Sequence, residues 1–544
     1  MTPRHRKAAD VFDTVHRERV EAAHVSLTKS ASAALLPTDP QSRIFNARLK
    51  EVRLNRYHVV EVLERRNTEK KKVIQVQQNN DHTLAEVEWT IPKSIWGPRA
   101  NGALTKASWT AGYYDTEEKM RKCIELDWSL CVSTHKTDAF LEGLGGPDEA
   151  DACISVLRDF TPFVYNVYDF YCTLGKANAD ICHMYKPAYL LFVKDVGFED
   201  KDSKNCTSND IAKLWKMLNA PTTEDQNCLN RYEWLQCLLR FAVMKYDNPN
   251  KTTAVPDSVA SALRRFFTDD VMPKADRRTM SDTNVFRDSF CYVEDVDEVL
   301  KRWEQSLRNI FKAYAFGDGK MDELWSTDML GYDEWKDFVL DMGFYDVVDF
   351  AAREAALAFA WSRLREIDER PLKAKVRMMQ LSFEEFMEAL IRISSFKVIP
   401  SDSDVYEAGC EDAGELMIKR QALPRVEQDA LLRETVCDWD DPLPQPMFHL
   451  LEGLLSYMAR VITGGNPTKV SSRDATKFKQ ANDESVEGKE SKRARIRRGM
   501  LDVFTVKPIE AANAFARELT QEQMVMASLF GCVNGSMPNY EDDD

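Results

Sequence analysis

The chain has 544 residues, 44% of them hydrophobic, and a formal net charge of −15 at pH 7. That length fills two or three cores at roughly 100–200 residues per domain, and its acidity disfavours nucleic acid, whose binding needs clustered cations to neutralise phosphates. No apolar run approaches the ~18–20 residues of a membrane span and the charged N-terminal segment holds no secretory apolar stretch, so proteins or cations are the expected partners and no membrane is.

In chain order, residues 8–27 and 42–78 are rich in Arg, Lys, Glu and Val with few breakers, predicting exposed helical N-terminal arms within residues 1–80. Residues 81–150 are a Trp-rich connecting segment with Trp89, Trp96, Trp109 and Trp128, in which Asp115-Thr116 caps a helix carrying Met120, Ile124 and Trp128. After the turn Gly143-Leu-Gly145-Gly146-Pro147, a first unit over 151–246 opens with Leu157, Phe160, Val164, Val167, Tyr168 and Tyr171, an apolar stripe of helical period. A second unit over 294–396 opens with Leu300, Trp303, Leu307, Ile310, Phe311 and Tyr314 at the same spacing. Between them, 247–293 reads as a polar linker with a helix near 256–271. Residues 397–463 read as an acidic linker, ending near 416, followed by helices near 425–436 and 446–462. Residues 464–499 are too poor in apolar side chains to hold a core and predict a disordered basic linker. A C-terminal helix near 520–531, opening at the capping box Thr520-Gln-Glu-Gln523, and an acidic tail complete 500–544.

The two units repeat each other. Tyr189-Leu-Leu-Phe192-Val193-Lys-Asp195-Val196-Gly197-Phe198 recurs as Trp335-Lys-Asp-Phe338-Val339-Leu-Asp341-Met342-Gly343-Phe344, and Trp234-Leu-Gln-Cys237-Leu238-Leu239-Arg240-Phe241 as Phe386-Met-Glu-Ala389-Leu390-Ile391-Arg392-Ile393. Both copies stand roughly 150 residues apart, which marks a duplicated structural unit. Each unit holds two helix–loop–helix elements whose exit helix is entered through an aliphatic residue followed five places later by an aromatic: Met184 and Tyr189, Leu229 and Trp234, Leu330 and Trp335, Leu381 and Phe386.

In Gln380-Leu381-Ser-Phe-Glu384-Glu385-Phe386 the aliphatic residue stands at the eighth place of a calcium loop, a Glu at the twelfth, and a Phe begins the exit helix. These residues resemble the EF-hand, calmodulin-like superfamily, and more closely the divergent paired EF-hand-like proteins of ciliated and flagellated single-celled eukaryotes. In that looser family a Ser-x-Trp-x-x-Arg segment, here Ser94, Trp96 and Arg99, precedes a Tyr-Asp-Thr helix start, here Tyr114-Asp115-Thr116. The resemblance implies a mainly α fold: two degenerate EF-hand-like pairs of four helices each, with a helical N-terminal arm and C-terminal helices. It also implies short β-bridges between Met184 and Leu229 and between Leu330 and Leu381. A helical solenoid of other ancestry would lack them.

A calcium loop needs oxygens at places 1, 3, 5 and 12 and a glycine at 6. Set on its bridge residue, the first loop offers Ala177, Ala179, Ile181 and Ala188, and the fourth Ala374, Val376 and Met378 before Glu385. The second offers Thr222, Glu224, Gln226 and Glu233, and the third Glu323, Trp325, Thr327 and Glu334. Glu224, Gln226, Glu233, Glu323, Thr327 and Glu334 are thus the candidate metal ligands, of a weak or vestigial calcium site, and no other cofactor is expected.

The exit helices keep their apolar stripes. Either the stripes are the core of each pair, or Trp234, Phe241, Trp335, Phe338, Met342 and Phe386 line a groove for a partner helix. The run Lys489, Lys492, Arg493, Arg495, Arg497 and Arg498 reads as a solvated linker, a nuclear-import signal, an RNA contact or, favoured among the functional readings, a basic patch for an acidic partner such as tubulin. The sequence holds no phosphate-binding Gly-rich loop, nucleophile elbow or His-Glu-x-x-His motif, and Cys182-His183 reads as structural, so no enzyme is expected. Twelve cysteines without a Cys-x-x-Cys spacing fit reduced thiols of an intracellular protein. The functional expectation is a non-enzymatic scaffold or adaptor, by resemblance in the cytoplasm, cilium, flagellum or cytoskeleton, with axonemal components among its partners. The competing expectation is a calcium sensor using loops two and three.

Overall fold

The computed structural model describes residues 73–78, 81–86, 89–101, 112–174, 181–201, 203, 205–219, 228–246, 258–315, 329–346, 348–436, 442–465 and 469–484. Among the described residues the fold is mainly helical, with three two-stranded antiparallel sheets. The first sheet corrects an expectation: Val73–Gln78 (β1) pairs with Asp81–Glu86 (β2), so the predicted helical arm does not extend to residue 78. The local reason is that Ile74 and Val76 alternate with Gln75 and Gln77, a strand period carried by β-branched residues.

Thr116 caps Glu117–His135 (α1) as expected, its hydroxyl accepting from the Lys119 amide at 3.3 Å. Lys136, at φ 48, turns the chain into Thr137–Gly145 (α2). Glu149–Cys172 (α3) buries the predicted stripe of the first unit, and its apolar residues continue onto Phe163, Tyr165 and Phe170. The unit then runs through Met184–Tyr185 (β3), Lys186–Asp195 (α4), Ser208–Leu218 (α5), Cys228–Leu229 (β4) and Arg231–Tyr246 (α6). Met184 lies opposite Leu229 and Tyr185 opposite Cys228.

The segment predicted as a polar linker contributes to this core. Val259–Arg265 (α7) continues into a π-helical turn, Phe266–Val271, and both Phe266 and Phe267 are fully buried. Phe267 meets Phe160 at 5.0 Å between ring centroids, and Phe266 meets Phe198 and Phe241. Of the charged residues that make the segment look polar, Arg265 and Asp269 pair at the surface, whereas Asp270 is buried and accepts from Lys245 and Tyr246.

The second unit repeats the order: Glu294–Ala315 (α8), Leu330–Gly331 (β5), Tyr332–Asp341 (α9), Ala352–Ser362 (α10), Leu372–Met378 (α11), Gln380–Leu381 (β6) and Phe383–Phe396 (α12). Leu330 lies opposite Leu381 and Gly331 opposite Gln380. Where an acidic linker was expected, Ser401 caps Asp402–Glu407 (α13) and Asp412 caps Ala413–Gln421 (α14). The side chains that lowered local hydropathy are the caps themselves. Arg425–Thr435 (α15) and Met447–Thr463 (α16) match the predicted helices closely.

Residues 472–484, expected to be disordered, form Ser472–Glu484 (α17). Val470 and Ala475 are buried, and the Asn309 amide donates to the Val470 carbonyl at 2.9 Å. A segment with too few apolar residues for its own core can still dock a few of them on an existing one. Two cores result. One joins α1 to α7, together with Leu357 and Trp361 of the second unit; the other joins α8 to α12 with α16, Ile95 and Trp96. Among the described residues no helix is long and apolar enough to cross a membrane. The described cysteines are buried except for Cys410.

Candidate functional site: four loop exits and their partners

Each loop ends on the first turn of an exit helix, so the side chain at the twelfth place is set by helix geometry whatever the loop contains. At the first loop exit that residue is Ala188, whose side chain offers no oxygen. In the second, Glu233 is fully buried. Its Oε2 accepts from the Asn230 amide at 2.9 Å and from Asn230 Nδ2 at 3.1 Å, whereas Oε1 has no hydrogen-bond partner. Burial pushes this carboxyl up to about 7. In the third, Glu334 is half-buried, and desolvation raises it as well.

The fourth exit differs. The places that would be the first, third and fifth of a loop, Ala374, Val376 and Met378, lie on helix α11. At the twelfth place Glu385 is buried and both its oxygens lie 2.7 Å from Arg377 Nη2. Burial opposes the charge, yet Arg377 and Arg99 hold the Glu385 carboxyl below its usual range. A calcium ion does not fit there: three ligand places carry no oxygen and an arginine already meets the fourth. The first loop exit fails the same test at Ala188.

Arginines of similar kind surround the next turn of α12. Glu388, fully buried, receives Arg99 Nη1 at 2.5 Å, Arg287 Nε at 3.0 Å and Arg392 Nη2 at 2.6 Å. Arg99 also donates to Tyr292 Oη at 3.0 Å and the Ser362 carbonyl at 2.9 Å, which docks the Trp-rich segment on the second unit. Arg231, at the start of α6, bonds Asp127 of α1 at 2.6 Å and Glu369 at 2.7 Å, and donates to the carbonyls of Glu366 and Ile367. Arg365 pairs with Asp169 of α3. These ion pairs join the two units. Removing one partner of such a buried pair leaves an uncompensated charge and is strongly destabilising.

Of the candidate ligands, Glu224, Gln226, Glu323 and Thr327 lie outside the described residues, as does the basic run Lys489, Lys492, Arg493, Arg495, Arg497 and Arg498. Glu233 and Glu334 stand in separate units, each at its own loop exit. Among the described residues no three His, Cys, Asp or Glu side chains gather to hold a metal. The expected partner groove is corrected: Trp234, Phe241, Trp335, Phe338, Met342 and Phe386 are at most 1% exposed. The chain covers them itself. Trp335 packs on Phe359, Phe338 on Phe386, and Tyr457 of α16 donates to the Met342 carbonyl at 2.8 Å.

Cys182 is also interior, its Sγ 3.5 Å from Met379 Sδ, so the first loop packs against the fourth. Arg377, Arg99, Arg287 and Arg231 are what reading the sequence missed. The one signal was Ser94-Ile-Trp96-Gly-Pro-Arg99, noticed for its resemblance rather than for its charge. Comparison with protein-family models finds no match, and neither the curated proteins nor the solved structures contain a significant one.

Proposed function

We propose that this protein is a non-enzymatic intracellular scaffold or adaptor built on a duplicated EF-hand-like pair whose calcium chemistry is largely lost. The observation that carries this reading is the bridge register. Met184 faces Leu229 and Leu330 faces Leu381, the residues that stand at the eighth place of each hand. A solenoid of stacked helix pairs has no reason to join its loops at those residues. What the hands keep is their packing, while the fourth has its acidic exit residue neutralised within the chain. The shape then serves to hold other elements in place, and partner proteins bind the outer surface rather than the filled interior. The resemblance favours a ciliary or flagellar cytoskeletal setting with axonemal or tubulin-like partners, an argument by analogy.

One observation favours a second reading. The unpartnered Oε1 of Glu233 is available to a cation, as a calcium sensor would require. Isothermal titration of the full chain with calcium separates the two. The scaffold reading expects no micromolar binding. Binding that disappears in Glu233→Gln with Glu334→Gln would establish the sensor. Proximity labelling in the native cell tests the setting, and recovery of neighbours without axonemal or cytoskeletal proteins would refute it.

A further inference from the structure

We infer that the guanidinium of Arg377 occupies the cation seat of the fourth hand, so that this hand carries its own permanent cation. The inference rests on the EF-hand-like reading of the second unit and deepens it. In a calcium loop the seventh place supplies its backbone carbonyl and the twelfth a carboxylate that binds through both oxygens. With Leu381 at the eighth place, these are Gln380 and Glu385. Arg377 Nη1 donates to the Gln380 carbonyl at 2.7 Å, and Nη2 donates to Glu385 Oε1 and Oε2, each at 2.7 Å. One planar cation thus takes both oxygen groups that the degenerate loop retains.

Three features support the assignment. Arg377 is itself buried, at 9% exposure, and is not a surface residue that happens to reach inward. Its position is fixed by helix α11, which replaces the ligand-bearing half of the loop and brings residue 377 over the exit of α12. The matching residues of the other hands, four before each bridge residue, are Asp180, Asp225 and Ser326, so a basic residue stands only in the fourth. The second hand offers the internal contrast. Glu233 makes the same backbone cap that Glu385 makes with the Ser382 amide, but one of its oxygens is left without a partner.

A guanidinium differs from calcium in two respects that matter here. It is covalently part of the chain, so its local concentration does not vary with the cell's calcium. Its forked N–H groups meet a carboxylate in a plane, whereas calcium demands six to eight oxygens around it. The fourth hand is therefore held in one shape at all calcium levels, and the bridge from Leu381 to Leu330 extends that constancy to its partner loop.

The test is chemical rescue in the full chain. In Arg377→Ala the melting temperature falls by roughly 5 °C or more, because Glu385 is left buried and uncompensated. Guanidinium chloride at sub-denaturing concentration then raises the melting temperature of Arg377→Ala relative to equal sodium chloride. Under the same conditions it lowers that of wild type and of Arg377→Ala with Glu385→Gln, in which the seat is filled or uncharged. Should Arg377→Ala fail to fold, Arg377→Met with Glu385→Gln removes both charges and recovers folding. An Arg377→Ala protein as stable as wild type, an absence of guanidinium rescue, or a double variant no better than the single one would overturn the assignment. None of those results would touch the scaffold reading, which calcium titration at Glu233 and Glu334 decides separately.

Discussion

The buried carboxylates Glu388 and Glu233 differ in whether an arginine reaches them. Glu388 has three guanidiniums and is held below the usual carboxylate range against the cost of its burial. Glu233 has none, and burial takes it up to about 7 from an ordinary 4.5. Glu366, buried with Oε1 unpartnered, is likewise raised by desolvation to about 7. Between pH 4.5 and 7 these two groups hold more protons in the folded chain than in the unfolded one, so their contribution to stability falls as pH rises through that window. Glu233→Gln should raise the unfolding free energy at pH 8 by on the order of 1 kcal/mol, and with it the melting temperature, and leave both nearly unchanged at pH 4.5. Thermal melts across pH check this, and a wild type and variant with parallel pH profiles would contradict it. Arg287→Met has the opposite character: it strips a fully buried carboxylate of one partner and should cost about 3–5 kcal/mol in a chemical denaturation experiment.

At the level of elements, helices α14 and α16 cross where both carry glycine. A Cβ on Gly414 would stand 2.4 Å from the Tyr457 amide nitrogen, and one on Gly453 would stand 2.6 Å from Ile399 Cγ2. The backbone approach at Gly414 cannot be relieved by a rotamer change, so Gly414→Ala should cost about 1–3 kcal/mol and lift α16 from the second unit. Circular dichroism melts measure the loss, and a stable Gly414→Ala protein would show that the crossing tolerates displacement. Most of this layer was legible in the sequence. The apolar stripes of α3 and α8, the cap at Thr116 and the residues of both bridges follow from short-range pattern. The misplaced elements have different causes. Strand β1 carries its own alternation and α13 its own cap, whereas the turn at Phe266 and Phe267, helix α14 and helix α17 are too short or too polar to declare a buried face alone. Those three are settled by the surface they meet.

Across the whole molecule, the two units are tied by Arg231 to Glu369 and by Arg365 to Asp169, and Leu357 and Trp361 of the second unit enter the first unit's core. Units coupled in this way should unfold together. Differential scanning calorimetry of the full chain is expected to give one main transition, and Arg231→Met should split or lower it; two well-separated transitions in wild type would refute the coupling. Of the candidate site, the sequence supplied the loop exits Ala188, Glu233, Glu334 and Glu385 and the loss of ligands in the first and fourth loops. It could not supply their partners, since Arg99 lies 289 residues from Glu388 and Arg231 lies 138 from Glu369.

Sequence alone determined the helical periods, the cap at Thr116 and the aliphatic positions that enter the exit helices, because each is written in residues close enough along the chain to constrain one another directly. Tertiary structure alone decided that the apolar faces are covered from within and that an arginine meets the fourth acidic exit. Burial and charge pairing depend on which distant segments arrive beside a residue, and local pattern holds no record of that.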